Sequence, residues 1–415
     1  MQRVVITGMG VVSPIGNNLI TFWDNIKKGN HGIEAITKFD ASQTGIHVAA
    51  QVKDYDPGKV MTPREHRRMD WYAKYGVSAA VEAVEMSGYP IEENAERVGV
   101  FVSSGIGGLV EIEKGIRRMI DKGPKRVPPL FVPMTIGNMA AGNISIKLGA
   151  KGPSLDIVTA CASATNSIGE AFLKIKYGFI DAALAGGAEG TINEIGIAGF
   201  AALTALSTNE DPNTASRPFD KDRDGFVMGE GAGILFLESL NSALERDATI
   251  YGEIVGYGTN SDANHMTAPC EDGQGAGKAI QQALEMANIQ GADVDYINAH
   301  GTSTPTNETA EIKAIEYALG DKAKNIPISS SKGYFGHLLG AAGGVEAIVV
   351  TKALQEGFIP PTLGLKNPQE EFEDYDLVPA KGRSQPIDYA ISNSLGFGGH
   401  NAILVFKRWQ EGEAQ

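Results

Sequence analysis

Four stretches of this chain carry side chains able to do chemistry, and each follows an apolar run. "VTACASAT" holds Cys161, one of only two cysteines in 415 residues. A cysteine just before a helix sits in a positive partial field, which favours the thiolate and lowers the pKa. Ala160, Ala162 and Ser163 are small and leave room for an incoming group. On this residue alone a buried structural cysteine is an equally open reading. "NAHGTSTPTNE" puts His300 ahead of a loop rich in hydroxyl and N–H donors. "SSSKGYFGHLLGAAGG" sets His337 five residues after Lys332 and just before a small-residue helix. The dipole there disfavours protonation, leaving a neutral imidazole that can donate a hydrogen bond. "SLGFGGHN" is a glycine loop whose backbone N–H groups can approach a reacting atom. One cysteine, two histidines, a lysine and a glycine loop together describe a nucleophile with electrophilic stabilisers. The seven histidines form no His-Glu-x-x-His pattern and the cysteines no cluster, so no metal site is expected.

Such residues need strand ends to hold them. "RVVITGMGVV", "RVGVFVSSG", "SLDIVTA" and "AALAGGAEG" read as strands. "MDWYAKYGVSAAVEAVEMSG" and "SATNSIGEAFLKIKYG" have helical spacing, the first ending at Gly88, a plausible residue just past a helix. A second series runs from residue 249: the strand-like "IYGEIVGYGTNSDANH", "VDYINAH" and "NIPISSSK" alternate with helical patterns. "YAISNSLGFGGHNAILVFKRW" closes the chain as strand, glycine loop and strand. Alternation of this kind predicts an α/β fold, with a mostly parallel sheet covered by helices. Each half places a reactive residue after a buried strand. The expected division is therefore 1–248, carrying Cys161, and 249–415, carrying His300, Lys332, His337 and the 396–399 loop. Ligands in such sheets bind beyond the carboxyl ends of strands.

With 42% apolar and 21% charged residues the composition is globular, and 51 glycines foretell many tight turns. A net charge of −14 argues against non-specific nucleic-acid binding. No apolar run approaches the roughly 20 residues of a membrane span, and the N-terminus reads as a first strand rather than a signal peptide. Two cysteines make no disulfide framework, which suits a reduced, cytoplasmic protein.

The motifs "VTACASATNSIGEAF", "RPFDKDRDGFVMGEGAG", "NAHGTSTP", "GHLLGAAGG" and "NSLGFGGHNA" resemble those of the β-ketoacyl-[acyl-carrier-protein] synthases of the synthase II type, over nearly the whole chain. The resemblance implies a thiolase-like fold, two similar βαβαβαββ halves in an αβαβα stack, and a homodimer. It implies that Cys161 takes an acyl chain from an acidic acyl carrier protein, and that malonyl-carrier then loses carbon dioxide and attacks it. The substrates would ride on the carrier's phosphopantetheine, with no further cofactor. His300 and His337 would hold the enolate oxygen, and the backbone N–H groups of Cys161 and Phe397 the acyl oxygen. Lys332 would shape the field at the histidines. Glu311 would brace Lys332 and its loop, although an exposed helical Glu is an equal reading for that residue. By the same resemblance Phe397 gates the two steps, Ile106 borders the acyl pocket, and Thr302 and Thr304 bind the pantetheine arm. Phe131, Thr267 and Gly398 are further substrate-side positions.

Because carrier and chain would both be acidic, docking needs a local basic patch. Arg64, Arg67 and Arg68 in "REHRRMD" and Lys125 and Arg126 in "GPKRVPP" are the candidates. Four departures from the pattern stand out: Phe335 for a usual Thr, Glu308 for a usual Asp, His400 for a Thr seen in many relatives, and Ala268 for a Ser in some. A thiolase would need a second cysteine in the glycine loop, and a starter-type synthase an Asn where His337 stands. A chain-length-factor-like scaffold lacks the nucleophile. A polyketide-type ketosynthase remains the alternative within the enzyme class.

Overall fold

The first strand is apolar but for Thr7 and fully buried, as expected of a strand covered on both faces. In the computed structural model, which describes residues 1–410 and 412, it pairs on both edges. The strands of the main sheet are β1 (Val4–Val12), β2 (Val98–Ser103), β3 (Ser154–Leu155), β4 (Ala182–Glu189) and β5 (Gly231–Ser239) in the first half. The second half supplies β6 (Gly252–Ser261), β7 (Tyr296–Asn298), β8 (Ile328–Ser329), β9 (Tyr389–Gly396) and β10 (His400–Lys407).

Their order across the sheet is β8-β7-β9-β10-β6-β1-β5-β4-β2-β3. Read outward from the β1–β6 junction, both halves run first, fifth, fourth, second, third. The two halves also share pairing directions: β2–β3, β2–β4, β7–β8 and β7–β9 are parallel. The pairs β4–β5, β1–β5, β9–β10 and β6–β10 are antiparallel, and so is β1–β6 where the halves join. The sheet is therefore mixed, which corrects the expectation of a mostly parallel one. A three-residue loop, 397–399, separates β9 from β10, and so short a link can only return the chain antiparallel. "SLDIVTA" also departs from expectation, since only Ser154–Leu155 is strand and the rest is irregular backbone leading to Cys161.

Helices α1 (Trp71–Ser87), α3 (Ser163–Lys176), α4 (Gln274–Ala287), α5 (Asn307–Leu319) and α6 (Ala342–Glu356) pack around this sheet, and α2 (Leu109–Lys122) lies outside the core against Phe131–Thr135. α1 begins at an Asp70 cap and ends at Gly88 in the left-handed conformation, as its spacing foretold. It packs on β1, β5 and β4, while α4 packs on β6 and β10. Between the halves lie α3 and α6, each touching strands of both. α6 is buried nearly all round, the signature of a helix at the centre of a molecule. The stack is thus helix, sheet, helix pair, sheet, helix. The largest apolar cluster gathers around the two central helices, with separate clusters beneath α1 and beneath α4.

Candidate active site

Cys161 sits in a short 3-10 turn, Ala160–Ala162, that feeds directly into α3. Ala160 has a φ of 51°, in the left-handed region a residue with a Cβ rarely adopts. The turn is held locally: Thr159 N–H donates to Ser163 Oγ at 2.9 Å, and Ser163 Oγ–H to the Ala160 carbonyl at 2.7 Å. Across the half boundary, Gly396 lies so close that a Cβ there would stand 2.5 Å from the Thr159 oxygen and 3.3 Å from Cys161 N. Only glycine allows that approach. It brings the Phe397 N–H near the Cys161 sulfur, where it favours the thiolate.

Burial pushes the Cys161 thiol up to about 12, against the opposing pull of the Lys332 charge and the Phe397 N–H. The expected thiolate is thereby corrected. In a site this dry, desolvation of the anion outweighs the field of the helix end. The resting Cys161 side chain is a thiol.

His300 follows β7 and His337 precedes α6, with ring centroids 5.4 Å apart and nearly perpendicular planes. Both imidazoles titrate well below their ordinary range, chiefly through burial and then through the Lys332 charge. They are neutral as expected, but burial rather than the helix dipole is the main cause. Nδ1 of His337 accepts from Leu339 N–H at 3.3 Å, so its proton resides on Nε2, which is left free to donate. Nδ1 of His300 is buried without a partner.

The backbone of His300 is fixed at both ends. Its N–H and that of Gly301 donate to Glu311 at 2.7 and 2.8 Å, and its carbonyl accepts from Lys332 Nζ. Glu311 is thus a buried brace of the loop and not an exposed helical residue. It does not pair with Lys332, however. The ion pair of Lys332 is with Glu346 on α6, and both side chains are essentially buried.

A third segment splints the two histidine loops together. Gly225 N–H donates to the Ser303 carbonyl at 2.9 Å, and Arg223 donates to the carbonyls of Thr304 and Pro305 at 2.8 and 2.9 Å. His337 N–H donates to the Val227 carbonyl at 2.7 Å, and Gly229 N–H to the His337 carbonyl at 2.9 Å. Phe226, between these anchors, packs its ring edge-on against His337 at 5.1 Å. Ser303, like Ala160, holds a left-handed φ, here 70°.

One cavity of about 330 Å³ joins these parts, lined by Cys161, His300, His337, Phe226, Gly396 and Phe397. Thr302, Thr304, Thr267 and Ala268 also line it, and the two threonine hydroxyls of 302 and 304 lie 3.0 Å apart. Gly398 stands beside the cavity without lining it and anchors the loop by donating to the Met266 carbonyl at 2.7 Å. Ile106 and Phe131 are not brought in. Ile106 is 38% exposed, and Phe131 packs over Gly115 of α2. Phe335 is fully buried against Phe22, so its replacement of Thr places a core residue and not a cavity group. Glu308 accepts from Ser303 N–H and lies 3.6 Å from Arg223.

Arg64, Arg67, Arg68, Lys125 and Arg126 are all exposed, and none forms an ion pair among the described residues. Sequence reading missed three contributors: Glu346, Phe226 and Arg223. Glu346 carried a signal, a lone charge within the apolar run "GGVEAIVV". Phe226 carried none, since nothing sets it apart from a core phenylalanine until His337 is beside it.

Residues 1–243 match the family model described as the beta-ketoacyl synthase N-terminal domain, and residues 251–366 that of its C-terminal domain. The chain is 51% identical over 410 residues to a 3-oxoacyl-[acyl-carrier-protein] synthase 2 of Staphylococcus aureus, covering 99% of each chain. It is 49% identical over 411 residues to the protein of that name from Synechocystis, again covering 99% of each. Among solved structures it is similar to the ishigamide ketosynthase/chain length factor, with a TM-score of 0.92 and 33% identity over 99% of this chain and 100% of that one. A type II PKS acyl-carrier protein in complex with its ketosynthase gives a TM-score of 0.91 and 32% identity, over 98% and 100%.

Proposed function

The chain belongs to the β-ketoacyl synthase family, and from that premise we propose how its residues carry out the decarboxylative Claisen condensation of fatty acid elongation. An acyl group passes from the carrier's pantetheine sulfur to Cys161 Sγ, and the thiol proton leaves with the freed carrier thiol. Malonyl-carrier then loses carbon dioxide, and its α-carbon attacks the acyl carbonyl on Cys161. The tetrahedral adduct expels the sulfur of Cys161, which regains a proton, and a 3-oxoacyl-carrier two carbons longer departs. The observation that carries this reading is the single cavity in which a thiol, two neutral imidazoles and the Phe397 N–H converge.

The Phe397 N–H, beside the sulfur, is the natural oxyanion donor for the acyl carbonyl together with Cys161 N–H. Decarboxylation builds negative charge on the malonyl thioester oxygen, which the imidazole donors stabilise. Such a donor is worth roughly 3 kcal/mol in a dry site. His300, whose Nδ1 has no fixed partner, can change tautomer as protons move. Thr302 and Thr304 serve the pantetheine arm, and Phe397 gates the two steps. No cofactor is needed beyond the carrier's own pantetheine. Residues 1–248 and 249–415 act as the two halves that meet at the cavity.

The partner is an acidic acyl carrier protein, met by the unpaired arginines 64, 67 and 68 with Lys125 and Arg126. Support for a second copy of this chain comes from the open edge at β3. Leu155 there is 44% exposed, and Ile106, Val132, Ile136 and Val158 are exposed as well. Pairing across this edge would carry Ile106 and Phe131 toward the acyl tunnel of the assembled dimer. Among the described residues no helix is long and apolar enough to cross a membrane, and both cysteines are free. The proposed compartment is the reduced cytoplasm.

The test is to mix the protein with acyl-carrier and malonyl-carrier. Carbon dioxide and 3-oxoacyl-carrier are expected. Free fatty acid alone would mean a thioesterase, and no turnover a scaffold. The identity to fatty acid synthases is higher than to the polyketide neighbours, so simple acyl chains are expected to outcompete polyketide intermediates.

A further inference from the structure

Glu189 ends β4 deep in the molecule, with no exposure and no cation paired with it among the described residues. Its carboxylate collects donors from both halves. Oε1 accepts from Ser104 Oγ at 2.9 Å, and Oε2 from Gly105 N–H at 2.9 Å and Gly340 N–H at 3.1 Å. The Ile106 N–H also faces the carboxylate and favours its charged form. Two backbones must come close to share one oxygen. A Cβ on Gly340 would stand 2.2 Å from Gly105 N, and a Cβ on either glycine 2.9 Å from Oε2. Gly340 belongs to the turn that also supplies Leu339 N–H to His337 Nδ1. Leu339 holds a φ of 49°, a strained conformation that persists only where its surroundings over-determine it.

We propose that Glu189 is a positioning residue for His337, its carboxylate holding the Leu339–Gly340 turn against the Ser104–Gly107 loop so that the imidazole keeps the tautomer that donates from Nε2. The proposal rests on the reading of His337 as the decarboxylation donor. Glu189, which burial pushes up to about 7, also adds when ionised a small charge against ionisation of the Cys161 thiol, behind burial of the thiol itself and the opposing pull of Lys332 and the Phe397 N–H. Loss of the carboxylate therefore acts oppositely on the two partners. It loosens His337 and eases ionisation of Cys161.

The experiment measures two half-reactions on the full-length enzyme, malonyl-carrier decarboxylation and transfer of an acyl group from its carrier to Cys161. Glu189→Met removes every acceptor at similar length. Decarboxylation is expected to fall about tenfold or more, since an acceptor shared by three donors is lost, while alkylation of Cys161 by iodoacetamide holds or quickens. Glu189→Gln keeps one oxygen for Gly105 and Gly340, while the Ser104 hydroxyl turns to accept from the amide, and it should restore most of the decarboxylation. Equal loss in both half-reactions, or no loss, overturns the proposal. Gly340→Ala is the second variant, parting the same contact from the other side, with the same split expected. Failure of both Glu189→Met and Gly340→Ala to fold also overturns it, because the carboxylate would then be a structural keystone only. His337→Ala separates the two levels. If it leaves decarboxylation intact, the role of His337 is wrong. If it abolishes decarboxylation while Glu189→Met does not, only the present inference fails.

Discussion

At the scale of single residues, burial governs the chemistry more than the helix ends do. Cys161 is a thiol near 12 because the anion has no water. Its alkylation rate should therefore climb with pH through 9 without a plateau, measured by mass shift against iodoacetamide. A plateau near 7 would mean the thiolate is already stabilised in the free enzyme. Burial keeps both imidazoles neutral, and the Lys332 charge, held in a buried pair with Glu346, adds to it. Removing one member of such a pair leaves an uncompensated buried charge, at a cost of about 3–5 kcal/mol. Glu346→Gln should lower thermal stability markedly and reduce decarboxylation, read by calorimetry and carbon dioxide release. A variant as stable as the parent would remove the pair from the account.

At the scale of elements, the site is an agreement between loops from opposite halves. Gly396 brings the glycine loop onto the Cys161 turn, with room for no side chain. In Gly396→Ala the new Cβ must push on the Thr159 carbonyl, and the Phe397 N–H is carried away from Cys161. Loss of one oxyanion donor costs about 10²-fold or more in rate. The expected outcome is acyl transfer slowed on that order, with decarboxylation affected less, followed by quenched-flow mass spectrometry. The segment 225–229 is the other joint, since it bonds to both histidine loops. Strained residues mark three of these junctions, Ala160, Ser303 and Leu339. Each sits within three residues of a reactive side chain: Ala160 is held inside its own turn, Ser303 by Gly225 and Arg217 from another segment, and the turn of Leu339 through Gly340 on Glu189.

At the scale of the whole molecule, charge and edges decide the company it keeps. Net charge is −14, so approach to an acidic carrier depends on a local field. The double change Arg67→Glu and Arg68→Glu should raise KM for carrier-borne substrates about tenfold and spare small pantetheine thioesters. The parent's KM should also rise with salt, as screening dictates. An unchanged KM would move the docking face elsewhere. The open β3 edge makes a separate prediction. An exposed strand edge with apolar neighbours tends to pair, so Leu155→Arg should shift the protein from dimer to monomer in sedimentation velocity. A parent that sediments as a monomer would remove the second copy from the reading.

The sequence by itself determined the residue types that react and the alternation of strand and helix that supports them. Cys161, His300 and His337 were legible because each interrupts a local pattern, and the α/β class because hydrophobic period survives without tertiary context. The matched order of the two halves, the burial that keeps Cys161 protonated and the partner of Lys332 were decided by the tertiary structure. Glu311 and Glu346 are both carboxylates on helices near Lys332, and no spacing in the chain tells which one faces it. Ile106 and Phe131 carried a family pattern yet stay outside the cavity of the single chain. The physical reason is common to all of these. A side chain's type is local, but its desolvation and its neighbours depend on segments hundreds of residues away, which come together only when the halves pack.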